Sequence, residues 1–257
     1  MTFTDLKDAL IETARKAGTE IMEVYADKRY KPEMKADGSP VTKADLRAER
    51  CIIPVLKELL PDTAIISEEN SESHRIEAPE RFWLVDPLDG TKDFLKRGSG
   101  KGAFTVNIAL IERQAPVLGV VFAPALERMF YGDVATGAWE ITGNDQAALS
   151  VAVAEGEHRI AVTSFSHRDP ATVQWLRSQG IVRTVSIGSS LKFCLVAAGE
   201  AHVYPRFGPT MEWDTAAGDA ILRAAGGTTI TPDGQPYLYG KPKYQNTAFI
   251  AWGTAPA

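Results

Sequence analysis

Asp86 and Asp89 lie three residues apart in Trp83-Leu84-Val85-Asp86-Pro87-Leu88-Asp89-Gly90-Thr91, directly after a short apolar run. The run reads as a buried strand. Proline fixes one backbone angle and glycine frees another, so a sharp turn is expected where the strand meets Pro87. Such a turn lets the two carboxylates converge on one small volume, where they repel each other unless a cation neutralises them. Carboxylate oxygens are hard ligands suited to Mg²⁺, Mn²⁺ or Ca²⁺. Gly90 and Thr91 add main-chain N–H groups and a hydroxyl beside the acids, a donor set that suits phosphate chemistry. Asp-Pro and Asp-Gly are also common turn formers, so a plain surface turn accounts for this stretch taken alone.

Other chemistry-bearing residues occupy comparable places. Ala64-Ile65-Ile66-Ser67 is a second apolar run that stops on Glu68-Glu69, and two such strands side by side would bring Glu68 to Asp86. Thr42 and Asp45 have the spacing of a capping box, in which Asp45 is simply a first-turn carboxylate favoured by the helix dipole. Trp213-Asp214-Thr215-Ala216-Ala217-Gly218 opens a helix with Asp214 at or near the N-cap, and small residues behind it permit close backbone approach. Gly188-Ser189-Ser190 also precedes a helix and offers N–H groups and hydroxyls to an anion. Lys192 lies one turn in, and Arg206 ends a strand; each also fits a surface charge. His167 is a lone histidine, a type more often structural than functional.

The elements that must position these groups follow from periodicity. Leu6, Leu10, Ala14, Ala17, Ile21 and Val24 mark an amphipathic helix over 4–27. A second helix covers 46–60, with Pro54 expected to kink it or set a boundary. Strands at 104–110, 117–122, 128–134 and 137–142 form an antiparallel meander. Beyond Ser150, strands and helices alternate, with helices at 169–179, 189–198 and 214–225, which is an α/β pattern. A boundary near 145–155 divides the chain into sub-domains 1–150 and 151–257, with the site in the cleft between them. Gly98-Ser99-Gly100-Lys101-Gly102 lacks P-loop spacing and precedes a strand, so it reads as a loop near the site.

A net charge of −5 provides no basic footprint and argues against nucleic-acid binding. An acidic chain that binds phosphates needs a metal to reverse the local field. Cys51 and Cys194 read as thiols in a reducing compartment, so the cytoplasm is expected. The N-terminus carries too many charges for a signal peptide, and no apolar run reaches 18 residues. Peripheral association with an inner membrane stays open, although no amphipathic helix is notably basic.

The segment Trp83 to Thr91 with Phe94-Leu95-Lys96, together with Trp213 to Gly218, resembles a known family. It is the lithium-sensitive, Mg²⁺-dependent phosphatase family that contains inositol monophosphatase, fructose-1,6-bisphosphatase and 3′(2′),5′-bisphosphate nucleotidase. Glu68-Glu69 and Val41-Thr42-Lys43-Ala44-Asp45 stand in the family's order, with Ser67 where many relatives carry glycine. The resemblance implies a layered α/β/α/β/α sugar-phosphatase-like fold, of mixed α+β and α/β class, with an antiparallel N-terminal sheet and an α/β C-terminal half. It implies two or three Mg²⁺ ions, replaceable by Mn²⁺, held by Glu68, Asp86, the Leu88 carbonyl, Asp89 and Asp214. Thr91 paired with Asp45 would orient and deprotonate the attacking water, with Glu68 as a third catalytic group. The backbone of Gly90 and Thr91 would grip the phosphate.

Gly188 to Gly199 and Tyr204 to Asp214 look like the bacterial bisphosphate nucleotidase branch of that family. The implied substrate contacts are Gly188, Ser189, Ser190, Lys192, Arg206 and Asp214, with His167 at the base or ribose. The implied reaction takes adenosine 3′,5′-bisphosphate to AMP, a clearance step in sulfate assimilation. Hydrolysis of inositol or sugar monophosphates is the close alternative. A non-catalytic metal-binding module that senses phosphorylated ligands is another, against which the Asp45/Thr91 couple argues. The acidic balance disfavours an exonuclease. A monomer and a homodimer are both compatible with the sequence.

Overall fold

The six periodic apolar residues of the first helix, Leu6 to Val24, are all buried on one side of α1 (Phe3–Ala26). In the computed structural model, residues 3–27, 33–34, 40–96, 102–143, 145–153, 158–164 and 169–255 are described. Helix α2 (Lys43–Leu59) starts at a capping box: Thr42 Oγ1 accepts from the Ala44 N–H at 3.0 Å, and Asp45 Oδ2 accepts from the Thr42 N–H at 2.7 Å. The expected boundary at Pro54 is absent, and α2 runs unbroken through it. Pro54 sits on the exposed face, where water can satisfy the carbonyl one turn back that loses its N–H partner.

Seven strands form the first sheet in sequence order: β3 (Ala64–Ser67), β4 (Arg81–Asp89), β5 (Thr105–Glu112), β6 (Ala115–Ala123), β7 (Arg128–Asp133), β8 (Gly137–Thr142) and β9 (Asp145–Ala148). Strands β3 and β4 are parallel; from β4 to β9 every pair is antiparallel, the meander expected from alternation. A two-residue pair, β1 (Glu33–Met34) with β2 (Pro40–Val41), precedes α2. Short helix α3 (Thr91–Leu95) leaves the end of β4.

The second sheet has the order β11-β10-β12-β14-β13, made of β10 (Ile160–Ser164), β11 (Arg183–Ile187), β12 (Val203–Arg206), β13 (Thr228–Ile230) and β14 (Phe249–Trp252). Strand β10 is parallel to β11 and β12, whereas β14 is antiparallel to both neighbours. Helices α4 (Pro170–Ser178), α5 (Leu191–Ala197) and α6 (Ala216–Ala224) complete the chain.

Three clusters of buried side chains set the layering. Helices α1 and α2 pack on one face of the first sheet through Leu10, Ile52, Trp83 and Ile108. Helices α5 and α6 fill the space between the two sheets, where Phe193, Ile221, Phe130 and Phe249 share one core. Leu176 of α4 packs with Val203 and Trp252 on the far face of the second sheet. The result is five layers, α/β/α/β/α, as the family resemblance implies. The central layer needs small residues: a Cβ on Gly119 of β6 would lie 2.3 Å from the Ala217 carbonyl oxygen of α6. That close approach seats α6, and the acid just before it, directly on the first sheet.

Candidate metal and phosphate site

Parallel pairing of β3 and β4 places Ser67 opposite Val85, and the Glu68 N–H donates to the Val85 carbonyl at 3.1 Å. Glu68 and Asp86 therefore leave adjacent strands side by side. The expected turn at Pro87 does not form; β4 continues to Asp89 as a bulged strand. Three steps from Asp86 to Asp89 face two steps from Asn107 to Thr105 on β5, so one extra residue is accommodated. The bulge buries the Leu88 side chain against α1 and α2 while its N–H bonds to Asp86 Oδ1 at 3.0 Å. The chain reverses one residue later, at Gly90, which has φ +88°. Glycine is required there twice over, because a Cβ would also lie 2.3 Å from Ser189 Oγ.

Asp214 arrives from the other sheet's side. It ends a 3₁₀ turn, Glu212–Asp214, and its carboxylate accepts from the Met211 N–H at 2.8 Å. It is not the N-cap of α6, which begins two residues later; the carboxylate closes its own turn instead. That turn is strongly held. Buried Glu212 accepts from the N–H groups of Gly240 (2.8 Å) and Lys241 (2.9 Å) and pairs with Lys241 Nζ at 2.7 Å. Asn246 Nδ2 donates to the Met211 carbonyl at 2.6 Å.

Carboxylate oxygens of Glu68, Asp86 and Asp214 all lie within 4.8 Å of one another. Burial, and then repulsion from Glu68, Asp89 and Asp214, pushes the Asp86 pKa well above the ordinary carboxylate value. Asp214 is raised well above it too, by burial and then by Asp89 and Glu68. Burial also raises Asp89, although Lys192, the Ser190 N–H and Asn107 pull the other way. Asp45 rises to about 6, chiefly through burial, with Thr42 opposing and Glu68 adding to the rise. A cluster that holds protons this tightly, built only of oxygen donors, is matched to a hard divalent cation. The residues present therefore fit a metal site.

Two buried cations, beside the exposed Lys92, line the same cavity of about 660 Å³. Lys192 is buried, bonds through Nζ to the Ser189 carbonyl, and has its pKa pushed down to about 8 by burial. Asp89, Asp214 and Asp93 favour its charge, and Arg206 opposes it. Arg206 is also buried; one guanidinium nitrogen reaches the Pro209 carbonyl at 3.2 Å, and Nε has no protein partner.

The site residues named from sequence distribute as follows. Glu68, Asp86, Leu88, Asp89, Gly90, Thr91, Gly188, Ser189, Lys192, Arg206 and Asp214 all line the cavity. The Ser189 and Ser190 hydroxyls are already engaged: Ser189 Oγ shares its one proton between the carbonyls of Asp89 and Ala103, and Ser190 Oγ donates to the Asp214 carbonyl at 2.6 Å. The helix after them starts only at Leu191. Asp45 and Thr91 are not hydrogen-bonded to each other. Asp45 accepts from Thr42, and Thr91 Oγ1 donates to the Leu88 carbonyl at 3.2 Å. His167 and residues 98–101 lie outside the described residues. Asp93 and Asp169 also line the cavity and were not singled out from sequence. Asp169-Pro170 signals only a helix start, and Asp169 does cap α4 through the Thr172 N–H at 2.8 Å.

Known proteins resemble this chain over nearly its whole length. Residues 4–255 match the model of the inositol monophosphatase family. A relative from Salmonella typhimurium, named 3′(2′),5′-bisphosphate nucleotidase CysQ, is 47% identical over 221 residues, covering 85% of this chain and 87% of the relative. The protein of that name from Escherichia coli K12 is 45% identical, covering 90% and 93%. Among solved structures, CysQ from Bacteroides thetaiotaomicron superposes with a TM-score of 0.83 at 38% identity, covering 96% of this chain and 97% of that one. An inositol monophosphatase from Thermotoga maritima gives 0.78 at 27% identity, covering 97% and 92%. No helix of the described residues is long and apolar enough to cross a membrane. The acids at the ends of β3, β4 and the Glu212–Asp214 turn thus stand in a chain matched over nearly its whole length, and this chain belongs to the inositol monophosphatase family and is a phosphatase.

Proposed function

We propose that the chain is a Mg²⁺-dependent 3′(2′),5′-bisphosphate nucleotidase. Its substrate is adenosine 3′,5′-bisphosphate, from which it releases the 3′-phosphate to leave AMP, clearing a by-product of sulfate assimilation in the cytoplasm. The observation that carries the substrate is the pair of buried cations, Lys192 and Arg206, in the cavity that also holds the acids. A monophosphate of a neutral polyol brings one charged group and no second anion for buried Arg206, whose acidic neighbour in the cavity is Asp169. A nucleotide with a second phosphate supplies that anion, and guanidinium binds phosphate in a fork geometry. The names of the relatives at 45–47% identity point the same way.

Glu68, Asp86, the Leu88 carbonyl, Asp89 and Asp214 are the residues that would hold the metal. Bound there, divalent cations supply charge neutralisation of the phosphoryl oxygens and a more acidic attacking water. The chain's own residues do the rest. The N–H groups of Gly90 and Thr91 open α3, where a helix's first donors have no partner within the helix, and they face the scissile phosphate. The Thr91 hydroxyl leaves its weak bond to the Leu88 carbonyl to orient the water, and as it accepts the water's proton its own passes to Asp45. A carboxyl raised to about 6 suits that role near neutral pH.

The deciding experiment is phosphate release from adenosine 3′,5′-bisphosphate and from inositol 1-phosphate, with Mg²⁺, with and without Li⁺ or EDTA. A strong preference for the nucleotide, lost with EDTA, is expected. A preference for inositol 1-phosphate discards the substrate reading while keeping the site.

A further inference from the structure

Strand β5 carries a polar pair where the sheet is otherwise apolar. Thr105 and Asn107 are both fully buried, and they are the register partners of Asp89 and Asp86 on β4. They share a face of β5 with Ala109 and Ile111, which pack into the α5/α6 layer. Thr105 and Asn107 therefore lie beneath the bulge and on the side from which the Asp214 turn approaches. Asn107 stands directly opposite Asp86, on the same face of the sheet as that acid. Yet Asn107 Nδ2, Asn107 Oδ1 and Thr105 Oγ1 all lack a hydrogen bond of good geometry to any protein group.

A polar atom buried without a partner has given up its bonds to water for nothing, and here three lie together under two acids. A hydrophobic residue would serve this strand better if packing were the only demand, as Ala109, Ile111 and Leu84 show nearby. The orphaned amide instead matches a carboxylate ligand's need for an outer hydrogen-bond partner, which fixes which oxygen faces a cation.

We infer that Asn107 is a positioning residue for Asp89 and Asp86, its amide orienting their carboxylates for the divalent cation, with Thr105 extending the same shelf. This rests on the proposed metal site. It makes an unusual demand: Asn107 serves binding at the expense of the metal-free fold, so the two should separate on substitution.

The test measures Mg²⁺ affinity by titration calorimetry and the thermal midpoint of EDTA-treated protein, for wild type, Asn107→Leu and Asp89→Asn. Asn107→Leu keeps the branched heavy-atom skeleton, with a somewhat larger volume, and removes both orphaned atoms. Its Mg²⁺ Kd is expected to rise about tenfold, with a metal-free midpoint equal to or above wild type. An unchanged Kd, with Asp89→Asn losing Mg²⁺, overturns the role of Asn107 alone. A lower metal-free midpoint with unchanged Kd assigns Asn107 to packing and also overturns it. Unchanged Mg²⁺ affinity in Asp89→Asn overturns the metal site itself and the inference with it. If Asn107→Leu does not fold, Asn107→Ser is judged by the same Kd criterion.

Discussion

Ser189 Oγ lies 2.9 Å from the main-chain oxygen of Asp89 and 2.7 Å from that of Ala103, joining the loop after β11 to the end of β4 and to the segment that enters β5. Ser189 holds this position in the left-handed region, at φ +52°. The contact sits against Gly90, which has no room for a side chain. Two parts of the chain 100 residues apart thus meet at the site through one hydroxyl.

Replacing that hydroxyl separates its two roles. Ser189→Ala removes the donor and keeps the strained backbone; Ser189→Gly removes the donor and relieves the strain. Both should destabilise by about 1–3 kcal/mol through the stranded carbonyls. Glycine should be the milder change by up to about 1 kcal/mol. Urea unfolding of the two variants measures this, and equal or reversed losses would show that the φ angle carries no strain.

The acid cluster predicts how stability depends on pH without metal. Asp86, Asp89 and Asp214 have raised folded-state values, so between the unfolded value of 3.8 and their folded values the native chain holds more protons. Stability of EDTA-treated protein should therefore fall as pH rises from 3.8, through about 6 where Asp45 titrates, and onward. Mg²⁺ should reverse that loss, by about 2.7 kcal/mol at a hundredfold excess over Kd. Thermal scans across pH with and without Mg²⁺ check it; a metal-free stability that climbs over that window contradicts the cluster's electrostatics.

Arg206 is the lever on substrate choice. Arg206→Ala should raise KM for adenosine 3′,5′-bisphosphate by the equivalent of about 1.5–3 kcal/mol, the worth of a charged hydrogen bond. Inositol 1-phosphate turnover should change little. Arg206→Lys should recover only part, since an ammonium lacks the fork geometry. Equal losses on both substrates would remove Arg206 from the specificity role.

Asp45→Asn tests proton acceptance apart from folding. Asparagine is also a good helix-start residue and keeps an acceptor for Thr42, so stability should shift by no more than about 1 kcal/mol. The rate should drop by about 10²–10⁴-fold if Asp45 takes the proton. Steady-state kinetics beside a thermal melt decide it, and a near-normal kcat would leave Asp45 as a capping residue only.

Glu212 should behave as a foundation. Glu212→Ala takes the acceptor from two main-chain N–H groups and the carboxylate partner from half-buried Lys241. Breaking such a buried pair costs about 3–5 kcal/mol. Chemical denaturation should show that loss, and Mg²⁺ affinity should fall with it because Asp214 rides on the same turn.

The periodic apolar residues of α1, the alternation along β5 to β8, and the Thr42/Asp45 box were readable in the sequence because each depends on neighbours a few residues away. The acids after two apolar runs were readable for the same reason, since strands that end on carboxylates need only local pattern to be seen. The rest depends on contacts distant in the chain. That Pro87 sits in a bulge and not a turn was decided by the pairing of β4 with β5. That the serine hydroxyls bond to carbonyls of Asp89, Ala103 and Asp214, leaving none for an anion, was decided by how closely the two sheets' loops approach. Asn107 looked like one more residue of an alternating strand. Only register, burial and the absence of a partner set it apart, because hydrogen-bond satisfaction belongs to three-dimensional surroundings and leaves no trace in local spacing.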